Sequence, residues 1–324
     1  MKFKLKQVFF IILLILMLSI ALSPIVINNI HRYNISNVKN SVVTVVSGID
    51  INRNILTSDV IIGTGFCYDE NKIITNYHNV ISGQIHIITD KEQIFEANLE
   101  YFDDINDIAI LNVENLNLVP LKFGDSSKCQ ITDRVFSIST PISAYLKGSY
   151  SEGMITNTNV EGFSYQRFLQ TNVDLSPGCS GAPLVSYNGR VIGMTTLKST
   201  EFGAEGLGFA IPSDSIKQYL KNMNLGIKPY DLGITFNDIF SEYGLPSSNG
   251  ITITNLTEDS ILRDALKEQD VVMKVNNSQI KSAVDFYEEI YKYEENTKIT
   301  IVRNGEEIIL TINLQKKDDN YEKN

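Results

Sequence analysis

Histidine is the usual general base near neutral pH, and the sequence offers three candidates, His31, His78 and His86. His31 lies in a polar stretch beside the apolar N-terminus. His86 lies in the alternating pattern QIHIIT, which predicts a strand with a packed or solvated side chain. His78 differs because it follows the apolar run KIIT, and a side chain at the end of a buried strand can face a cleft. His78 is therefore the candidate catalytic base.

Two other segments supply possible partners for this base. Asp107 directly precedes the apolar run IAILNV, so a strand anchored in the core would hold its carboxylate at an edge. Ser180 lies in LSPGCSGAPLV, where Gly178 and Gly181 permit a turn that directs consecutive N–H groups towards one point, as an oxyanion hole requires. The chain order histidine, aspartate, serine is that of the chymotrypsin-type triad.

The positions of the histidines and the absence of metal-binding motifs exclude two other classes of hydrolase. An α/β-hydrolase places its histidine after the serine, and no histidine follows Ser180. The zinc-protease motif HExxH is also absent. The cysteines Cys67, Cys129 and Cys179 form no CxxC pair, so neither a zinc cage nor a disulfide scaffold is indicated, and small buried side chains are expected. No cofactor or metal is expected.

Length and charge narrow the class further. The 324 residues allow two domains, at about 150 residues each. The 28 Lys and Arg against 38 Asp and Glu give a net charge of -10, which argues against nucleic acid as a partner.

Short β-branched runs between residues 41 and 212 predict an all-β barrel or sandwich. Residues 213–222 then predict a helix with Ser213 as its N-cap. A joint at 226–229 precedes a second unit with several strand patterns and a helical stretch, SAVDFYEEIYKYEE, which together predict a small α+β domain. In that unit Asn304-Gly305 predicts a β-hairpin turn.

The N-terminus carries a membrane signal. Lys2, Lys4 and Lys6 precede an apolar run over residues 8–27, which is about 20 residues or ~30 Å of helix, enough to span a bilayer. Lysines before the span predict a cytoplasmic N-terminus and an extracytoplasmic remainder, with a polar tether after the anchor. A cleaved signal peptide is the alternative, because Ser19 and Ala21 are small enough for a cleavage site.

Several linked motifs occur in one order: GTGFCYDENKIITNYHNV, NDIAILNV, LKFGDSS, TNVDLSPGCSGAPLVSYNGRVIGMTT and LGFAIPSD. Together they resemble the HtrA/DegP-type serine proteases, in which a trypsin-like domain precedes PDZ domains. The anchor and a single PDZ unit are most similar to the DegS-like subgroup. The resemblance implies a chymotrypsin-like double β-barrel, followed by a small α+β PDZ domain. The predicted parts are an anchor or signal peptide (1–28), a tether (29–40), the protease domain (41–225), the PDZ domain (226–315) and a charged tail (316–324).

The resemblance also implies roles for the candidate residues. Ser180 would attack a peptide carbonyl while His78 takes its proton, and Asp107 would orient His78 and stabilise the imidazolium. The loop of Gly178, Cys179 and Ser180 would form the oxyanion hole, with N–H groups of its first and last residues as the donors.

A specificity pocket is expected beside this loop. Leu175 and the strand residues Thr195, Thr196 and Leu197 are its predicted walls. Asp174 lies six residues before the serine, where trypsin carries its pocket carboxylate, and a buried carboxylate there would favour basic substrates.

The predicted protease domain also departs from the family pattern at other positions. Cys179 stands where the family usually has Asn, and could be a redox-sensitive neighbour or a tolerated small side chain. Ala182 replaces the second glycine, which requires that this position avoid positive φ. Ser139-Thr140-Pro141 stands where Gly-Asn-Pro is common.

For the second unit the resemblance implies binding of peptide C-termini. The loop 230–233 would bind the carboxylate of the peptide with its backbone amides, and the peptide would add as a strand beside Ile234. Phe286, in the helical stretch, would line the peptide groove. The residues concerned are Tyr230, Asp231, Leu232, Gly233, Ile234 and Phe286. Further implied partners are protein substrates and two more copies of the chain in a homotrimer. The competing hypothesis is a membrane-tethered scaffold or chaperone that binds peptides without cleaving them.

Overall fold

The structure is a computed structural model that describes residue 17 and residues 29–50, 55–161, 166–196, 206–226, 232–240, 246–258, 260–292 and 296–314. The predicted anchor and the charged tail therefore lie outside the described residues, apart from residue 17. Within the described ranges, no helix has the length and apolar character needed to cross a membrane.

The described elements are eighteen strands and three helices. The strands of the first unit are β1 Val42–Asp50, β2 Ile55–Asp69, β3 Lys72–Thr75, β4 Ile85–Thr89, β5 Ile94–Asp103, β6 Ile108–Asn112, β7 Arg134–Ser139, β8 Ser149–Val160, β9 Phe168–Thr171, β10 Pro183–Ser186, β11 Val191–Thr196 and β12 Gly208–Pro212. Those of the second unit are β13 Ile234–Phe240, β14 Pro246–Leu256, β15 Val271–Val275, β16 Ser278–Gln279, β17 Thr297–Arg303 and β18 Glu306–Ile312. The helices are α1 (29–39), α2 Ser213–Asn224 and α3 Ala283–Ile290.

The first twelve strands form two closed antiparallel barrels. Their strand orders are β1-β2-β3-β6-β5-β4 and β10-β11-β12-β9-β8-β7. One buried cluster joins the barrels, with Phe66 and Ile110 from the first packed with Phe136 and Met194 from the second. This packing brings the ends of strands from both barrels to one seam, and it confirms the predicted double β-barrel.

The second unit is an antiparallel sheet in the order β13-β14-β15-β17-β18, with β16 paired to β15. Helix α3 begins with a capping box between Ser282 and Asp285, and its buried face includes Phe286 and Tyr287. The predicted hairpin is confirmed, because Asn304 and Gly305 both have positive φ (54° and 84°) between β17 and β18.

Helix α2 confirms the predicted helix but corrects its N-cap. The N-cap residue is Pro212, and Ser213 is the first helical residue. The Ser213 hydroxyl donates instead to the carbonyl oxygen of Gly124, 3.3 Å away. This bond attaches the helix to the second barrel.

The predicted tether is helical over residues 29–39. His31 stacks on the ring of Tyr187, with 3.9 Å between ring centroids, and its Nε2 lies 3.3 Å from the Tyr150 hydroxyl. Burial in this aromatic cluster lowers the pKa of His31. His31 therefore packs on the second barrel, far in sequence from its partners, and has a structural role.

The three cysteines are free thiols. Cys67 and Cys179 are buried as predicted, whereas Cys129 is half-buried. Burial raises the pKa of Cys67 and of Cys129 to about 11, so both thiols stay protonated at neutral pH.

Candidate active site

His78 and Asp107 form a close pair at the seam between the barrels. His78 lies in the 3-10 turn Tyr77–Asn79 directly after β3, and Asp107 directly precedes β6. The His78 Nδ1 atom lies 2.8 Å and 3.0 Å from the two carboxylate oxygens of Asp107. The Asp107 side chain is 4% exposed and that of His78 is 36% exposed. The buried carboxylate thus holds the proton on Nδ1 and leaves Nε2 as the basic atom.

Three further hydrogen bonds fix the position of Asp107. Its Oδ1 accepts from the backbone N–H of His78 at 3.0 Å, and its Oδ2 accepts from the Thr196 hydroxyl at 3.3 Å. Its carbonyl oxygen accepts from the side-chain amide of Asn76 at 2.9 Å. Asp107 also has a φ of 57°, a left-handed conformation that Asp tolerates better than most residues.

The loop that carries Ser180 needs both of its glycines. Gly178 and Gly181 have φ values of 94° and 88°. A Cβ on Gly178 would lie 2.3 Å from the carbonyl oxygen of Thr140, and one on Gly181 would lie 2.0 Å from that of Thr64. Ala182 is not among the residues with positive φ, so its departure from the family pattern is accommodated.

A hydrogen bond to the peptide group before Gly178 sets the direction of the Gly178 N–H. The carbonyl oxygen of Pro177 accepts from the backbone N–H of Ile142 at 2.5 Å. Because the C=O and N–H of a trans peptide point in opposite directions, the N–H of Gly178 points away from Ile142. The Gly178 carbonyl is held by the Thr64 hydroxyl at 2.7 Å. This geometry supports the assignment of Gly178 as a donor to the oxyanion.

Cys179, the middle residue of the predicted oxyanion loop, uses its own N–H within the turn. Its backbone N–H donates to the carbonyl oxygen of Ser176 at 2.9 Å, so the turn consumes this donor. Its Sγ lies 3.1 Å from the hydroxyl of Ser139 and accepts from the N–H of Ser176 at 3.4 Å. Cys179 therefore holds the loop together from a buried position.

The predicted pocket residues fall into different environments. Asp174 is exposed, and its N–H donates to the Ser151 hydroxyl; the buried carboxylate that a trypsin-like pocket needs is thus not formed by this side chain. Leu175 is half-buried, and Leu197 lies outside the described residues. A preference for basic substrates remains a prediction without structural support.

Thr195 and Thr196, predicted as pocket walls, use their hydroxyls to bind the Ser180 loop and Asp107. The Thr195 hydroxyl donates to the carbonyl oxygen of Cys179 at 2.7 Å, and the Thr196 hydroxyl contacts Asp107 as described above. Both side chains are almost fully buried. Two adjacent threonines at the end of an apolar strand were the only sequence signal for these roles.

The second unit brings part of its predicted peptide site together. Leu232, Gly233 and Ile234 lead into β13, which pairs only with β14 among the described strands and so forms a sheet edge. Phe286 is fully buried and belongs to the core cluster of this unit, which corrects its predicted role as an accessible groove residue. Tyr230 and Asp231 lie outside the described residues.

Asp103 is a buried acid four residues before Asp107. Its carboxylate accepts from the backbone N–H and the side-chain amide of Asn106, and burial raises its pKa from 3.8 to about 6. Because the pKa of Asp103 is higher in the folded than in the unfolded protein, the folded state holds this proton more tightly. The free energy of unfolding is therefore highest at low pH, where the group is protonated in both states, and it falls as pH rises through the folded-state pKa.

We therefore expect the stability of the wild type relative to Asp103→Asn to fall by about 3 kcal/mol between pH ~3.5 and pH ~7.5. Urea unfolding of both proteins across this range measures the difference. A difference that does not change with pH would contradict the assignment of the raised pKa to Asp103.

Comparisons with known proteins agree with this architecture. Residues 63–194 match the family described as trypsin-like peptidase domain. The chain is 29% identical over 279 residues to the serine protease Do-like HtrB of Bacillus subtilis, covering 78% of this chain and 60% of the relative. It is 29% identical over 269 residues to a probable periplasmic serine endoprotease DegP-like of Chlamydia trachomatis, covering 78% and 54%. The chain thus spans little more than half the length of these two relatives.

Among solved structures, the HtrA-type protease AlgW with a bound tripeptide has a similar fold. The TM-score is 0.70 at 22% identity, and the alignment covers 87% of this chain and 95% of AlgW.

Proposed function

We propose that the chain is an extracytoplasmic serine endopeptidase acting on protein substrates, because residues 63–194 match a trypsin-like peptidase domain and the fold is similar to that of an HtrA-type protease. The observation that carries the proposal is the His78–Asp107 pair, held at the barrel seam beside the glycine-bracketed loop of Ser180. The Ser180 hydroxyl would attack the scissile carbonyl as His78 Nε2 accepts its proton. His78 would then return the proton to the leaving amine, and water would hydrolyse the acyl-enzyme.

Electrostatic stabilisation comes from the fixed groups around this triad. Asp107 offsets the positive charge that forms on His78. The N–H of Gly178 would donate to the oxyanion, and one such donor is worth roughly 3 to 4 kcal/mol in comparable sites.

Incubation of the full chain with unfolded casein tests the proposal, with Ser180→Ala as the matched inactive variant. Cleavage by the wild type but not by Ser180→Ala supports a serine endopeptidase. Peptide binding with no cleavage by either protein would favour the tethered scaffold. The homotrimer, the membrane anchor and the extracytoplasmic location are parts of the proposal that rest on the resemblance and, for the location, on the periplasmic relative.

Regulation by the second unit is supported by a contact between the units. Arg167, directly before β9, pairs with Glu161 at 2.7 Å and also with Asp285 and Glu288 of α3. The guanidinium is half-buried between three carboxylates, and such a partly buried network is more strongly coupled than an exposed ion pair. A ligand that moves α3 would therefore act on the segment leading into β9.

In the proposed peptide site of the second unit, a tyrosine hydroxyl of the same chain occupies a backbone carbonyl that a bound peptide would need. Gly233 directs its carbonyl oxygen to the N–H of Thr257 on the β14 side, so the next carbonyl, that of Ile234, points to the open edge. There it accepts from the Tyr287 hydroxyl at 3.1 Å. A peptide that adds as a strand would need this carbonyl as an acceptor.

Tyr287→Phe frees that acceptor while keeping the ring. We expect it to bind a hydrophobic C-terminal peptide about five- to tenfold more tightly than the wild type, as measured by fluorescence anisotropy. Tyr145→Phe, at an exposed site in the first unit, is the control. Equal or weaker binding by Tyr287→Phe, or equal binding of an amidated peptide, would contradict the proposed peptide site.

A further inference from the structure

Asn79 is a buried polar residue that the catalytic roles described above do not use. It directly follows His78 in the 3-10 turn and is 2% exposed. Its side-chain nitrogen lies 3.0 Å from the carbonyl oxygen of Ser180, across the seam between the barrels. The same nitrogen lies 3.0 Å from the Thr75 hydroxyl. The residue next to the base thus contacts the backbone of the nucleophile.

Donors and acceptors in this contact match one another. The Thr75 hydroxyl donates to the carbonyl oxygen of Thr64 at 2.6 Å, so its lone pair is available to accept from Asn79. The carbonyl oxygen of Ser180 accepts a second hydrogen bond from the N–H of Thr64 at 2.9 Å. Both protons of the Asn79 amide and both lone pairs of the Ser180 carbonyl are then used. A flipped amide would place two oxygens against each other, so only one orientation fits.

The surroundings leave Asn79 no alternative position. A Cβ on Gly63 would lie 2.3 Å from Cγ of Asn79, so the glycine makes room for this side chain. The Ser47 hydroxyl donates to the backbone carbonyl of Asn79 at 2.9 Å. Neighbouring groups therefore hold both the backbone and the side chain of Asn79.

We propose that Asn79 is a positioning residue that fixes the nucleophile relative to the base, by tying the Ser180 carbonyl to the turn that carries His78. This inference rests on the proposed function, because it assigns Asn79 a part in placing the Ser180 hydroxyl. A displacement of about 1 Å between reacting groups can cost roughly 100-fold in rate. Loss of the tie should therefore lower kcat and leave KM nearly unchanged, since Asn79 is buried away from the substrate surface.

The test compares the full-length wild type with Asn79→Ala, Thr75→Val and Ser41→Ala. Thr75→Val keeps the shape of the side chain but removes the acceptor of the second amide proton. Ser41→Ala is the stability control, because the buried Ser41 hydroxyl donates to the carbonyl of Val119, in the same barrel but outside the network. For each protein, kcat and KM on a peptide substrate, the melting temperature and hydrogen exchange of residues 176–182 are measured.

We expect Asn79→Ala to lower kcat by about 10- to 100-fold with KM within about threefold, and Thr75→Val to lower kcat by about three- to tenfold. Hydrogen exchange in the Ser180 loop should become faster in both variants and stay unchanged in Ser41→Ala. If the wild type cleaves nothing but Asn79→Ala still speeds exchange in the loop, the proposed function fails while the positioning role stands. If loop exchange is unchanged, or if kcat falls no more in Asn79→Ala than in Ser41→Ala, the positioning role is wrong.

Discussion

Ser180→Ala is expected to lower kcat for casein or peptide cleavage by about 10⁶-fold, leaving only the residual acceleration that binding and the oxyanion donors supply. The substitution removes only the hydroxyl group, and the backbone carbonyl of residue 180 keeps its hydrogen bonds from Thr64 and Asn79. We therefore expect a circular dichroism spectrum like that of the wild type.

Ser186→Ala is the matched control for this variant. Ser186 lies at the end of β10, the strand that follows the Ser180 loop, and among the described residues its hydroxyl bonds to Asn188 and Arg190 in the adjoining turn. Cleavage should persist in this control. Cleavage by Ser180→Ala at more than about one thousandth of the wild-type rate would show that another residue is the nucleophile.

Asp107→Asn is expected to lower kcat by about 10⁴-fold near neutral pH. The carboxylate accepts from Nδ1 and the backbone N–H of His78 and from the Thr196 hydroxyl. An amide at this position places N–H donors against these donors. His78 then takes the opposite tautomer, with its proton on Nε2, and can no longer accept the proton of Ser180.

Measurement of kcat between pH ~6 and pH ~10 checks this expectation, because the lost tautomer control changes both the rate and its pH dependence. Asp104→Asn, an exposed carboxylate in the same turn, should cleave at the wild-type rate. Activity of Asp107→Asn within tenfold of the wild type would remove Asp107 from the triad.

The double barrel, and the placement of the three candidate triad residues at strand ends, could be predicted from local patterns. Short β-branched runs specify strands, and His78, Asp107 and Ser180 each lie where an apolar strand begins or ends. The Asn304-Gly305 turn was equally predictable, because the two positive φ angles it requires suit few other residues.

The supporting hydrogen bonds could not be predicted in this way. Asn79 and Ser180 are 101 residues apart, and Thr196 and Asp107 are 89 apart, so no local pattern connects them. Cys179 was assigned to the oxyanion loop from its position between Gly178 and Ser180. The turn back to Ser176 that consumes its N–H follows from backbone angles that the sequence does not specify.

The helix in the predicted tether could not be foreseen for a different reason. An Asn-rich polar composition does not indicate a helix, yet residues 29–39 form one that places His31 against Tyr187. Tertiary packing on the second barrel outweighs the weak helix propensity of such a sequence.

Labelling of the full chain with a biotinylated fluorophosphonate, followed by peptide mapping by mass spectrometry, tests whether Ser180 is the activated nucleophile. Such a reagent forms a stable adduct only with a hydroxyl that a neighbouring base activates. We predict an adduct on Ser180 that is absent in Ser180→Ala and forms far more slowly in Asp107→Asn. An adduct on a different residue, or no adduct on a protein that still cleaves casein, would contradict this prediction.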